Sequence, residues 1–162
     1  MEAPEGLEMD IRELHGNLLA AVSALLAMSI YLVGGTFGME NPLRSFLWTL
    51  ESINSKLMAR CPMHPCYVDQ CMYGLAPSDF PDLRYRKPTI VYICNPYNTL
   101  GTYHLDLRCH VYKAPGKLPK CGHVHLKCEG RVQLEDGTWI KRSEEAGHYP
   151  EALAKAIVRE LM

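Results

Sequence analysis

The sequence lacks a surplus of either charge, and it lacks the short motifs that mark many catalytic and nucleotide-binding sites. Its 17 basic and 18 acidic residues give a net charge of −1, which by itself indicates no class of partner. The chain contains no G-x-S-x-G, G-x-G-x-x-G or G-x-x-x-x-G-K-[ST] sequence, so the usual nucleophile elbow, dinucleotide loop and P-loop are excluded. Internal repeats and low-complexity tracts are also missing.

Length and composition are those of an ordinary globular domain. With 162 residues, 48% of them apolar and 22% charged, we expect one domain with a true core over 1–162. We divide it into a helix–strand–helix part (1–60), a part with strands and many Cys and His residues (61–148), and a terminal helix (149–162). The seven cysteines follow an acidic N-terminus rather than an apolar one, which favours reduced thiols in the nucleus or cytoplasm, some of them on metal.

Residues 18–39 carry no charge, and this run is long enough to cross a membrane. Glycines interrupt the run near its end, however, and no cluster of Lys or Arg flanks it. We therefore predict a buried helix over about 11–33, ended by Gly34 and Gly35, and a short strand over 36–40. A membrane span over 18–39 is the alternative.

Glu40 and Asn41 come directly after this predicted strand, and Pro42 stops it. Ligand sites in α/β sheets lie at the carboxyl ends of strands, so these side chains are candidates for a functional rim. The alternative is a polar turn that leads into an amphipathic helix over 43–57. Both interpretations are open at this point.

Other elements follow from local patterns. The segments CYVDQ (66–70) and TIVYIC (89–94) are typical of strands, and Cys94 is expected to be a core thiol. Strand-like alternation continues over 123–134. A terminal amphipathic helix over 149–162 is predicted from its proline and glutamate in the first turn.

Potential metal ligands are most concentrated in residues 109–128, which contain three cysteines and three histidines. If 121–125 is extended, its cysteine and histidines point to one face, because side chains alternate along a strand. Thiolate and imidazole ligands suit tetrahedral Zn²⁺. We predict a zinc site formed by Cys109, Cys121, His123 and His125. The fourth ligand is open between Cys71, Cys109 and Cys128.

Two further interpretations of the cysteines are weaker. Buried free thiols beside solvent-exposed histidines are the alternative to a zinc site. A second metal candidate, Cys61 with His64 and Cys66, is disfavoured because two prolines stiffen the turn between its ligands.

Basic residues outnumber acidic ones over 108–142, by eight to three. This surplus indicates either a solvated loop face or a surface that contacts nucleic acid. The candidate nucleic-acid-binding residues are Arg108, Lys113, Lys117, Lys120 and Lys127.

Several short segments occur in a recognisable order along the chain. They are HGNLL (15–19), GMENPLRSFLW (38–48), VDQCMYG (68–74), RKPTIVYICN (86–95), LRC (107–109), GHVHL (122–126) and EEAGHYPEAL (144–153). This order resembles a domain of large retroelement-type polyproteins in dinoflagellates and other protists. That domain is itself similar to a cytosine-C5 DNA methyltransferase with a Rossmann-like sheet.

The resemblance implies a role for Glu40 and Asn41. In such methyltransferases a glutamate at a strand end hydrogen-bonds the ring nitrogen of a flipped cytosine, and these two residues match that motif. The family's nucleophilic cysteine and its S-adenosylmethionine loop have no counterpart in this sequence, so no catalytic residue is predicted and the chain is expected to be inactive alone. The Cys/His cluster would be a zinc-stabilised appendage.

We therefore expect an α/β fold, with a partial Rossmann-like sheet flanked by helices and a Cys/His-rich, zinc-clipped loop region. The expected function is a non-catalytic, zinc-binding, methyltransferase-like module that contacts nucleic acid or a larger protein assembly; a small-molecule substrate is not expected. One alternative is an active methyltransferase completed by another chain. Another is a structural or assembly subunit, membrane-associated through residues 18–39.

Overall fold

A computed structural model describes residues 11–98, 103–105, 107–109 and 122–162. They form a mixture of helices and small sheets. The chain divides into two compact units. Unit 1 comprises 1–66, 91–102 and 161–162, and unit 2 comprises 67–90 and 103–160. A single domain over 1–162 stays a prediction, and the two units are described separately.

Unit 1 begins with helix α1, Ile11–Leu32, close to the range predicted for it. The helix ends at the two glycines, as expected. Gly34 has a φ of +77°, a conformation that favours glycine, and the Gly35 N–H donates to Ile30 O at 2.8 Å. A Cβ atom on Gly35 would lie 2.7 Å from Ile30 Cγ2, so the chain turns too closely there for a side chain.

The burial of α1 differs from the prediction. Its buried residues are small, namely Ala20, Ala24 and Ala27, and this alanine face packs on the segment that contains Ile53 and Leu57. The large apolar side chains are exposed: Ile11, Leu14, Leu18, Leu19, Val22, Leu25, Leu26, Ile30 and Leu32. The expectation of a helix buried on all sides is therefore wrong, because unit 1 covers only the alanine face. By length and composition, α1 could cross a membrane.

Strand β1, Phe37–Pro42, includes Pro42 as its last residue rather than stopping before it. The helix predicted over 43–57 is divided into a 3₁₀ helix, Phe46–Thr49, and a π-helical segment, Ser52–Leu57. The break lies at Leu50, whose ψ of 138° is extended. Apolar packing requires this local irregularity, since Leu50 is itself buried in the core of unit 1. That core contains Ala20, Ala24, Ala27, Phe37, Leu50, Ile53, Leu57, Cys61 and Cys94.

Strand β2 is His64–Asp69 and strand β4 is Pro88–Cys94, so the strands predicted from CYVDQ and TIVYIC exist with small shifts. These two strands and β1 form a three-stranded sheet in the order β1-β4-β2, which is the largest among the described residues. Most of β4 is buried, as its central position in the sheet requires. Cys94 is fully buried in the apolar core of unit 1, which confirms it as a core thiol. Burial, assisted by neighbouring Cys61, raises its pKa to about 11.

Unit 2 is built from short elements. The predicted alternation over 123–134 appears as two strands, separated by Gly130 with a φ of +85°. The described elements of unit 2 include a 3₁₀ helix Gln70–Tyr73, β3 Arg84–Tyr85, β5 His125–Leu126, β6 Arg131–Gln133, β7 Trp139–Lys141 and a short helix α2 Arg142–Glu145. Strand β3 pairs in parallel with β5, and β6 pairs antiparallel with β7. The terminal helix α3 is Glu151–Leu161, inside its predicted range.

A polar network joins α2 to the loop before β3. Glu145 is buried and accepts hydrogen bonds from Ser78 N, Ser78 Oγ and Tyr85 Oη. Arg142 binds both carboxylate oxygens of Asp79 and also donates to Tyr85 Oη at 2.9 Å. Burial and the hydrogen bond with Glu145 raise the pKa of Tyr85 to about 12, so its hydroxyl stays protonated and keeps donating.

Candidate metal centre

Four side chains of unit 2 converge on one point. One ligand atom from each of Cys71, Cys109, His123 and His125 lies within 4.8 Å of the other three. Cys109 Sγ is 3.4 Å from His125 Nε2. The two imidazole rings meet edge to face, with centroids 4.9 Å apart and planes at 87°. Both thiols are buried and both imidazoles are half-buried.

Backbone pairing brings these residues together from distant parts of the chain. Cys71 lies in the 3₁₀ helix that follows β2, and its position is set by the end of that strand. His125 begins β5, which pairs with Arg84 of β3. Two hydrogen bonds to Asp69 hold the backbone that carries Cys109. The Asp69 N–H donates to Leu107 O at 3.0 Å, and the Cys109 N–H donates to Asp69 Oδ2 at 2.8 Å.

The donor set suits a tetrahedral metal ion. Two thiolates and two imidazoles are a common structural zinc set, and ligands at about 2.0–2.3 Å from zinc lie about 3.3–3.8 Å apart. The separation of Cys109 Sγ and His125 Nε2 already falls in that range. Burial first, and then the neighbouring His123 and Arg86, lower the pKa of His125. The neutral imidazole, which is the form that binds a metal, is therefore favoured.

Three of the four predicted ligands belong to this group. The fourth member is Cys71, which was one of the alternatives left open for the fourth ligand. Cys109, His123 and His125 come together with Cys71. Cys121 lies outside the described residues. Cys128, the remaining alternative, packs instead beside a small apolar cluster of Leu75, Tyr85 and Ala146.

A buried carboxylate lies next to the centre, and sequence reasoning missed it. Asp69 is fully buried, and its oxygens are 3.5 Å from Arg86 Nε and 3.4 Å from Arg108 Nε. Two guanidinium groups and the Cys109 N–H therefore offset the cost of burying this charge. A signal was available, because Asp69 and Arg86 stand inside the quoted segments VDQCMYG and RKPTIVYICN.

Two of the predicted nucleic-acid-binding residues lie in the described chain. Arg108 is partly buried beside Asp69, and the exposed Lys127 pairs with Glu129 at 3.9 Å. The other three, Lys113, Lys117 and Lys120, lie outside the described residues.

The weaker metal candidate around Cys61 does not form such a group. Cys61 lies in the apolar core of unit 1, and burial raises the pKa of its thiol. Among the residues that the structure describes, ligand-like spacing of His, Cys and acidic side chains occurs at the Cys71 group. Burial of a thiol alone is therefore not enough to build a site.

Glu40 and Asn41 are half-buried residues of β1 in unit 1. They line a groove of about 520 Å³ between β1 and α1, together with Phe37, Met39 and other apolar side chains. Both residues lie within β1 rather than after it, and their role as a functional rim stays a prediction.

Comparisons of the chain with protein-family models, with curated proteins and with solved structures give no match. Conclusions about function rest on the residues themselves.

Proposed function

We propose that this chain is a zinc-binding module that contacts nucleic acid and does not itself catalyse a reaction. The observation that carries the proposal is the convergence of two thiols and two imidazoles at Cys71, Cys109, His123 and His125. Among biological metals, zinc is the best match for this mixed sulfur and nitrogen set, because it accepts both donors in a closed tetrahedron.

The nucleic-acid contact is supported by charge and by resemblance. Arg86 and Arg108 lie beside the proposed metal, and the sequence adds further basic residues over 108–142. The methyltransferase-like resemblance adds Glu40 and Asn41, which belong in this proposal to the remnant of a base pocket. A sheet with a buried central strand is compatible with the Rossmann-like part of the same resemblance.

The first experiment is elemental mass spectrometry of the purified, dialysed protein, with matched cysteine variants. We expect one zinc per chain in the wild type and in Cys128→Ala, and loss of zinc in Cys71→Ser. Cys128 is a suitable control because it is a cysteine of the same unit that lies outside the ligand group. A folded wild-type protein without metal would contradict the zinc site.

The second experiment measures binding to labelled DNA and RNA at several salt concentrations. A contact with phosphates releases counterions, so we expect the logarithm of the affinity to fall linearly with the logarithm of the salt concentration. Affinity that does not respond to salt, or no binding at low salt, would overturn the nucleic-acid part of the proposal.

A second candidate function is that of a structural or assembly subunit. The observation that favours it is the set of large apolar side chains that α1 exposes, since exposed apolar patches often mark contacts with proteins or membranes. The hydroxyl group of Ser29 is satisfied inside the helix, since its Oγ donates to Leu25 O at 2.9 Å. This surface would lie against a membrane or another subunit.

The double variant Leu18→Gln, Leu25→Gln separates this candidate from the first. Both side chains are exposed, so folding should be unaffected. If α1 contacts lipid or a subunit, the variant should become soluble without detergent where the wild type is not. A wild type that is soluble and monomeric without detergent would instead exclude this function for α1.

A further inference from the structure

The strand that leads into the metal centre also presents an aromatic ring at the surface. Tyr67 and Asp69 are alternate residues of β2 and so share one face of the strand. Tyr67 is 42% exposed, whereas Asp69 is fully buried beneath Arg86 and Arg108. The Tyr67 ring and two guanidinium groups therefore lie around one buried carboxylate, all within unit 2.

The guanidinium groups are held in place rather than free in solution. Arg108 lies over the Tyr67 ring, with Cζ 5.7 Å from the centroid. Its Nε is 3.4 Å from Asp69 Oδ2, and Arg86 Nε is 3.5 Å from Asp69 Oδ1. We call the group of Tyr67, Asp69, Arg86 and Arg108 the Tyr67 surface. Its two cations share one carboxylate, so the charges of this group sum to +1.

The same carboxylate connects the Tyr67 surface to the metal ligands. Asp69 Oδ2 accepts a hydrogen bond from the N–H of Cys109, the residue after Arg108. A metal ion that holds Cys109 would therefore also hold the backbone that carries Arg108. Loss of the metal would release this backbone and the guanidinium with it.

We propose that the Tyr67 surface is the contact site for single-stranded nucleic acid, with a base stacked on Tyr67 and phosphates held by Arg108 and Arg86. This inference rests on the proposed function and names its ligand. An exposed ring beside fixed cations is the arrangement that single strands use, because every base has a face that can stack. Bases in a duplex are already stacked on each other and offer no free face to a ring at the surface.

The test uses the intact, zinc-loaded protein and a labelled 12-nucleotide oligo(dT) or oligo(U), with anisotropy as the readout. We expect Tyr67→Leu to weaken binding about tenfold, the loss typical of one stacked base. Arg108→Gln should weaken binding and make the salt dependence shallower by about one phosphate contact. A duplex of the same length should bind more weakly and should not respond to Tyr67→Leu.

The chain offers a matched control in the same unit. Arg142 Cζ lies 5.7 Å from the centroid of Phe80, a ring that is 49% exposed. Both terminal nitrogens of that guanidinium are bound to Asp79, whose carboxylate neutralises it. Phe80→Leu should therefore leave oligonucleotide binding unchanged, although it removes an equally exposed ring beside an arginine.

The outcomes separate the two levels of the proposal. If the wild type binds no nucleic acid, the proposed function fails. If it binds, but Tyr67→Leu and Phe80→Leu behave alike, or if the duplex shows the same sensitivity to Tyr67→Leu, only the Tyr67 surface is refuted. Circular dichroism and zinc content, measured on each variant, show whether a loss of binding reflects a loss of folding. Arg108→Lys keeps the positive charge and should retain part of the affinity for the oligonucleotide.

Discussion

Unit 1 and unit 2 bury different kinds of side chain. The core of unit 1 is an apolar cluster that includes Ile53 and Leu57, and its thiols Cys61 and Cys94 serve as small apolar groups with raised pKa values. All four buried polar or charged residues of the described chain belong to unit 2: Asp69, Gln70, Thr89 and Glu145. The stability of unit 1 should therefore depend on packing, whereas that of unit 2 should depend on metal and pH.

The treatment of cysteine illustrates the same difference. Cys94 and Cys71 are both buried, but Cys94 lies among apolar side chains and Cys71 lies beside two imidazoles. A buried thiol without a partner becomes less acidic, because burial disfavours the thiolate. A buried thiol beside imidazoles can instead bind a metal ion together with them, and it loses its proton to solution when the metal–sulfur bond forms. The neighbours of the thiol, not its burial, separate the two roles.

Removal of the metal should have the largest effect on stability, and this effect should be confined to unit 2. Structural zinc contributes about 10–16 kcal/mol of apparent binding free energy in small zinc peptides, and that energy stabilises the fold directly. We expect a strong chelator to accelerate amide hydrogen exchange over 67–90 and 122–160 while leaving α1 and the 52–57 segment unchanged. Equal acceleration in both units, or in neither, would contradict the difference between them.

Leu57→Ala should have the next largest effect on stability, and this effect should be confined to unit 1. Leu57 is fully buried, and truncation of such a side chain costs about 2–5 kcal/mol through lost burial and the cavity left behind. We expect denaturant unfolding of unit 1, followed by Trp48 fluorescence in a Trp139→Phe background, to shift to lower denaturant concentration. Zinc content should stay at the wild-type level, and its loss would show that the two units are not independent.

Glu145→Gln should have a smaller, pH-dependent effect on unit 2. Burial alone would raise the pKa of Glu145, but hydrogen bonds from Ser78 and Tyr85 outweigh it and leave this pKa below its ordinary value. The carboxylate therefore contributes stability that is fully present above the unfolded pKa of about 4.3 and is lost as the pH falls through the folded value. At pH 7 we expect the variant to be about 1–2 kcal/mol less stable.

The comparison of wild type with Glu145→Gln isolates this carboxylate. Asp79 also has a lowered pKa, chiefly because of its hydrogen bond with Arg142, but it titrates in both proteins and cancels from the difference. The difference in unfolding free energy should shrink as the pH falls below about 4.3. A difference that stays constant between pH 7 and pH 3 would exclude this role for Glu145.

Local physics allowed several features to be predicted from the sequence alone. Helix α1 and its end follow from a charge-free run before two glycines, and β4 follows from β-branched and aromatic residues between prolines. The pair His123 and His125 was recognisable as a ligand pair because both residues stand close together in the chain. Each of these features depends on neighbours within a few residues.

Tertiary structure alone decided the rest. Cys71 joins Cys109 because Asp69 binds the backbone at 107–109, a contact between segments far apart in sequence. The pattern of α1 predicted an apolar helix but not which face would be covered, since burial depends on the surfaces that other segments provide. The break at Leu50 arose in the same way, because packing in the core overrode a local preference for helix. The sequence by itself thus determined the elements and the kinds of ligand, and only the folded chain determined which ligands meet, because their meeting requires long-range backbone contacts.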